Sequence, residues 1–246
     1  RVLNERGFSS STIDDISHFS ANLLKHEYSD HPLFDTFISA CGKTSQKLKQ
    51  TLLACLAPPK VSTKSRFMNL HRLVRWADKL LKHSPVGRAS TGSILVKLRA
   101  SIDQLPACKP FIRRFLRDAI PLLECQKILK VKGLSYQSSK ECEALIEAIP
   151  PSSPVRIGFS NWLKKHIKIA ETCGVAEAGL PISSDPLESL FGVAKRHGTG
   201  DTKDANRIAA RLPALCGQVT KEDAQRVLKV TVAQQKQVMN ALPSLN

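Results

Sequence analysis

Residues 184–192 read Ser184-Asp185-Pro186-Leu187-Glu188-Ser189-Leu190-Phe191-Gly192, and the way this run folds decides how the rest of the chain is read. Asp185 suits a helix N-cap and Pro186 the first helical position, while Leu187, Leu190, Phe191 and Ala194 recur at helical spacing. The pattern predicts an amphipathic helix with those four residues as its buried stripe. Glu188 falls in the first turn beside the stripe, on a face shared with Phe191, Gly192 and Lys195, so the ground next to its carboxylate is open. A carboxylate so placed is a candidate metal ligand. The same spacing fits a capping box, in which Glu188 only reaches back to the amide of Asp185. The residues alone leave both readings open.

A second acid-bearing motif lies near the other end: Asp15-Ile16-Ser17-His18. An acid and an imidazole three residues apart share one side of a helix start and can hydrogen-bond each other. His18 is read either as a reactive group or as a structurally bonded histidine at a helix N-terminus.

The chain has 246 residues, 42% of them hydrophobic, enough for one large or two modest cores. Lys and Arg number 37 against 21 Asp and Glu, a net charge of +16 that points to a polyanionic partner, with nucleic acid first. The cations lie in helical patterning rather than in a tail: Lys43, Lys47 and Lys49; Arg66, Arg72, Arg75, Lys79 and Lys82; Arg113, Arg114 and Arg117; Lys164, Lys165 and Lys168. Each run alone reads as a solvated face, and together they predict a long positive surface. The seven cysteines have neither a C-x-x-C pair nor zinc-finger spacing, which reads as reduced thiols in an intracellular protein. No stretch has the roughly 20 apolar residues of a membrane helix.

Between the two motifs the patterning is helical. Helices are expected over residues 31–56, 65–82, 94–105, 111–129, 137–148 and 155–172, punctuated by Pro58-Pro59, by residues 84–93 and by residues 149–154. Arg1 to Arg6 read as a helix tail closed by Gly7, and residues 206–212 and 224–242 as closing helices. Pro121 is expected to kink or split its helix, and Trp76 to anchor packing rather than stack on bases. The polar loop at residues 197–204 could lie along a phosphate backbone, and it lacks the G-K-[ST] ending of a P-loop.

The run L-P-I-S-S-D-P-L-E-S-L-F-G-V-A-K-R (180–196), a polar loop, and N-R-I-A-A-R-L-P-A-L-C-G (206–217) together resemble the C-terminal end of DDE transposases with an RNase H-like core, the P-element, hAT and Mutator-like group. D-I-S-H is similar to the Asp/Cys-x-x-His signature of several of these superfamilies. The resemblance implies a mainly α chain: the C-terminal part of an RNase H-like α/β core, interrupted by a large helical insertion. The corresponding boundaries are residues 1–30 for the core segment with the signature, 31–173 for the insertion, and 174–246 for the core helices that carry the final catalytic Glu. It implies Glu188 as that metal-binding acid, with Asp15 and His18 as signature residues. Arg72, Arg75, Lys79, Lys164, Lys165, Lys195 and Arg196 are the expected nucleic-acid contacts.

Enzymes of this kind hold two Mg²⁺ or Mn²⁺ ions between three carboxylates, act on transposon ends and target DNA, and work as homo-oligomers. By the same resemblance two acids precede Arg1, or Asp14 or Asp15 is itself the second acid. Either way this polypeptide alone is expected not to cleave DNA. Two other readings stand beside this one: a non-catalytic basic helical domain that binds nucleic acid, and a helical interaction scaffold whose charge serves solubility.

Overall fold

Apolar residues at helical spacing dominate the sequence, and in the computed structural model they give a mainly helical protein. The structure describes residues 12–61, 66–83, 87–196, 221, 222, 225 and 229–241. The chain divides into two compact units, residues 1–182 and 183–246.

The first unit is organised around its longest helix. In chain order the unit comprises α1 (Ile16–Tyr28), α2 (Phe34–Lys49), α3 (Arg66–His83), α4 (Ile94–Ser101), α5 (Lys109–Lys132), α6 (Tyr136–Ile146) and α7 (Pro154–Thr172), with 3-10 turns at Ala54–Leu56 and Leu105–Cys108. At 24 residues α5 is about 36 Å long, and α1, α3 and α6 all pack on it. Phe111, Phe115, Ala119, Leu122, Cys125 and Leu129 recur at three- and four-residue steps and are all buried. Helix α7 leans on α1 and α6 through Val155, Phe159, Trp162, Leu163, His166 and Ala170, the one polar side chain in that stripe being His166. Helix α1 comes from the segment assigned by resemblance to the core, and it shares one hydrophobic cluster with the helices of residues 34–172.

Some local expectations shift. Helix α5 runs through Pro121 without being split. Proline removes one amide from the ladder, and the buried apolar residues on either side hold the helix together. The helix expected over residues 31–56 ends at Lys49, so Leu52 lies beyond it and is exposed rather than packed. Phe19 and Leu23 of α1 are only half-buried, while the smaller Ser17, Ser20 and Ala21 are buried. Trp76 is half-buried, and its indole N–H donates to the Leu56 carbonyl at 2.8 Å, which fits a packing anchor.

A buried polar joint ties α1 to α5. The Tyr28 hydroxyl lies 2.6 Å from Asp118 Oδ2 and 3.0 Å from the Arg114 carbonyl, and Arg117 Nε donates to Asp118 Oδ1 at 2.7 Å. Burial first, and then the Asp118 carboxylate, push the Tyr28 hydroxyl far above its ordinary range, so it remains a donor. Cys41, Cys108, Cys125 and Cys142 are buried free thiols, while Cys55 and Cys173 are free and exposed.

After α7 the chain returns to the segment that leads into α6. Leu134 and Leu180 exchange both backbone hydrogen bonds at 2.8 Å, and Tyr136 N donates to the Ala176 carbonyl. At the crossing Gly133 (φ 69°) and Gly179 (φ 104°) lie back to back, and a methyl on either would strike the other segment's backbone. This close approach carries the chain on to Ile182, whose carbonyl accepts from Ile16 N at 3.0 Å at the start of α1. The Leu134–Leu180 bridge is the extent of β pairing, and no strand occurs among the described residues.

In the second unit the described helices are α8 (Asp185–Arg196) and α9 (Val232–Ala241). The expected helices at residues 1–6 and 206–212, the loop at 197–204 and Cys216 lie outside the described residues. No helix among the described residues is long and apolar enough to cross a membrane.

Candidate functional site

The D-I-S-H run forms the N-terminus of α1. Asp15 is its N-cap: Oδ1 accepts from Ser17 N at 2.8 Å and His18 N at 2.9 Å, and lies 3.0 Å from His18 Nδ1. Acid and imidazole do meet on one side of the helix start, as their spacing predicts. In this arrangement Asp15 satisfies amides that a helix N-terminus leaves open.

The residue before it is held from across the fold. Asp14 N donates to His166 Nε2 at 3.1 Å, Lys165 Nζ donates to Asp14 Oδ2 at 2.8 Å, and His166 Nδ1 lies 2.9 Å from the Trp162 carbonyl. With an amide donor at Nε2 and a carbonyl at Nδ1, the ring is the neutral Nδ1–H tautomer. Burial lowers its pKa, an effect larger than the opposing pull of the Trp162 carbonyl and Asp14. Trp162 stacks on His166 with ring centroids 4.3 Å apart, and Phe19 stacks on Trp162 at 5.3 Å. Sequence reading placed Lys165 among the DNA contacts, whereas here its ammonium is paired with Asp14. It missed His166, although a histidine inside an apolar helical stripe is itself the signal for a buried, hydrogen-bonded ring.

Glu188 lies in the first turn of α8, as expected, and is exposed. Its amide donates to the Ser184 carbonyl at 2.8 Å, and its carboxylate accepts from the Ser184 hydroxyl, also at 2.8 Å. Asp185 is the first helical residue rather than the cap, so the bond of the Glu188 carboxylate runs to a side-chain hydroxyl one position earlier than a capping box at Asp185 would require. Leu187 and Phe191 are 60% and 42% exposed, so the stripe is amphipathic but not the buried one predicted. A helical period specifies which residues share a face; it does not supply the surface that covers it. Among the described residues no group of three or more His, Cys, Asp or Glu side chains could hold a metal ion. Glu188 by itself does not fit a two-metal centre.

The cations separate into two classes. Lys47, Lys82, Arg114, Arg117, Lys127, Lys132 and Lys165 each make an ion pair with a carboxylate. Arg72, Arg75 and Lys79 are exposed and have no ion pair among the described residues. Their i, i+3, i+7 spacing puts them on one face of α3, with a rise of about 10 Å from first to last. Lys164 and Lys168 form a shorter exposed pair on α7, also without a described acidic partner. The side chains of Lys195 and Arg196 lie outside the described residues.

Neither a protein-family model, nor a curated protein, nor a solved structure matches this chain.

Proposed function

We propose that this chain binds DNA through the cationic faces of its helices, as the helical part of a DDE-type transposase in which Glu188 is the last metal-binding acid. The observation that carries the DNA-binding reading is the α3 face. Arg72, Arg75 and Lys79 stay exposed and without acidic partners among the described residues, together on one face of a single helix. A charge left unneutralised on a regular face suits a polyanion with regularly spaced phosphates. The transposase part of the proposal draws on the S-D-P-L-E-S-L-F-G and D-I-S-H runs and on the open first-turn position of Glu188.

A second reading is a helical nucleic-acid-binding domain without catalysis. It is favoured by Asp15 acting as a helix cap and by the Glu188 carboxylate accepting the Ser184 hydroxyl. One acid in reach of solvent does not assemble a metal site, so no cleavage step is ascribed to these residues.

The test is fluorescence anisotropy of the chain with a labelled duplex across a salt series. Affinity is expected to fall steeply with salt, and Arg72→Ala, Arg75→Ala and Lys79→Ala together to lower the log–log slope by up to about 3. Affinity indifferent to salt would sink the DNA-binding reading. The transposase reading is tested separately by Glu188→Gln, which is expected to remove Mg²⁺-dependent strand cleavage by the full-length protein while leaving duplex affinity unchanged. Retained cleavage would exclude Glu188 from the metal site.

A further inference from the structure

Helices α1, α3 and α5 enclose a partly open cavity of about 210 Å³. Phe67 and Leu122 contribute apolar wall, Ser17, Asn69, His71 and Gln126 bring uncharged polar groups to it, and Lys130 brings a cation. No carboxylate is among the residues that line it. The Ser17 hydroxyl is buried with no hydrogen-bond partner, and a buried polar atom left unmatched costs about 1–3 kcal/mol. The side-chain amides of Asn69 and Gln126 stand at half-buried positions and make no hydrogen bond to another described residue. Unmatched donors and acceptors between apolar walls are the features of a ligand site rather than of a packed core.

Size narrows the occupant. A cavity of roughly 150 Å³ takes one benzene ring, and drug-sized ligands need about 300 Å³ or more. The space therefore suits one ring or two fused rings. Apolar walls favour the faces of a flat ring, while two amides, a hydroxyl and an imidazole offer both donors and acceptors to its edge. Burial first, and then the nearby Arg75 and Arg72, lower the pKa of His71, so its imidazole is neutral. The absence of acids disfavours a cation, the apolar wall at Phe67 and Leu122 suits a ring rather than a bare anion, and Lys130 in the lining suits the phosphate that accompanies a purine or pyrimidine base.

We propose that this cavity receives a single nucleobase, unstacked from a nucleic-acid strand whose backbone lies along Arg72, Arg75 and Lys79. The inference rests on the DNA-binding reading for its source of bases. Asn69 and His71 are within two helical turns of Arg72 and Arg75 on α3, so backbone and base would engage adjacent parts of one helix. An extruded base costs unstacking energy, and a pocket that matches its edge offsets that cost.

The experiment uses oligonucleotides carrying 2-aminopurine, whose fluorescence rises when the base leaves the stack. A mispaired or single-stranded 2-aminopurine is expected to brighten on binding. Gln126→Leu and Asn69→Leu, at half-buried positions where folding is checked by circular dichroism, are expected to abolish the brightening and weaken binding about 10-fold. The salt slope is expected not to change. Arg72→Ala with Arg75→Ala is expected to do the reverse, reducing the salt slope while leaving the brightening at saturation. Free adenosine or guanosine that binds the wild type but not Gln126→Leu would support the pocket and assign it a free nucleoside. Salt-dependent binding without brightening, and without nucleoside binding, would overturn the pocket while leaving the DNA reading standing. Loss of both would remove the DNA reading as well.

Discussion

Two helix starts in this protein carry a short acidic motif, and they are held in different ways. At α1 the chain is pinned at long range: Asp14 by His166 and Lys165, Ile16 by the carbonyl of Ile182, with Asp15 closing the helix end. At α8 the bonds of Glu188 reach no further than Ser184, and Leu187 and Phe191 next to it are exposed. A cap bond forms wherever a helix starts, whatever surrounds it. A bond across 152 residues of sequence forms only when two helices are already packed. The first motif is thus a joint of the fold, and the second holds its acid out.

The hardest way to break the joint is at the glycine crossing that delivers Ile182 to α1. Gly179→Ala places a methyl against the Lys132 carbonyl at φ 104° and is expected to cost about 3 kcal/mol in urea unfolding of the whole chain. An unchanged midpoint would show that the crossing does not support α1.

Next in size is His166. His166→Leu leaves the Asp14 amide without its acceptor and is expected to cost about 1–3 kcal/mol. It should also flatten the pH dependence. The folded pKa of His166 is lowered by burial, so between that value and the unfolded pKa of about 6.5 the unfolded chain binds more protons. Stability is therefore full above pH 6.5 and falls as pH drops below it. Burial lowers His71 and His31 in the same direction, so the variant should lose part of the slope and not all of it. Melting temperatures from pH 8 to pH 5 measure both effects, and a variant with the wild-type slope would remove His166 from the account.

The smallest and sharpest contrast is between the two acids themselves. Asp15→Ala removes the carboxylate oxygen that accepts from two backbone amides and is expected to cost about 1 kcal/mol. Glu188→Gln, at an exposed position, is expected to leave the melting temperature unchanged. Equal losses would mean that both starts are caps of the same kind.

Much of this could be read from single residues. Apolar steps of three and four placed α3 within a residue at each end, and the Asp15–His18 spacing foretold their hydrogen bond. The partner of Lys165 could not be read that way, because Asp14 lies 151 residues away. Nor could the cavity, because Ser17, Asn69 and Gln126 come from three helices and no local pattern marks them as neighbours.

The sequence by itself determined that this protein is mainly helical, strongly cationic, and carries a short acidic motif at two helix starts. Those properties depend on local spacing and on composition, which any short window displays. Only the tertiary structure decided which acidic motif is tied to a distant helix, which cations are neutralised, and which polar groups face a shared cavity. Each of these depends on what lies opposite a side chain once helices pack, and packing joins residues that the sequence keeps far apart.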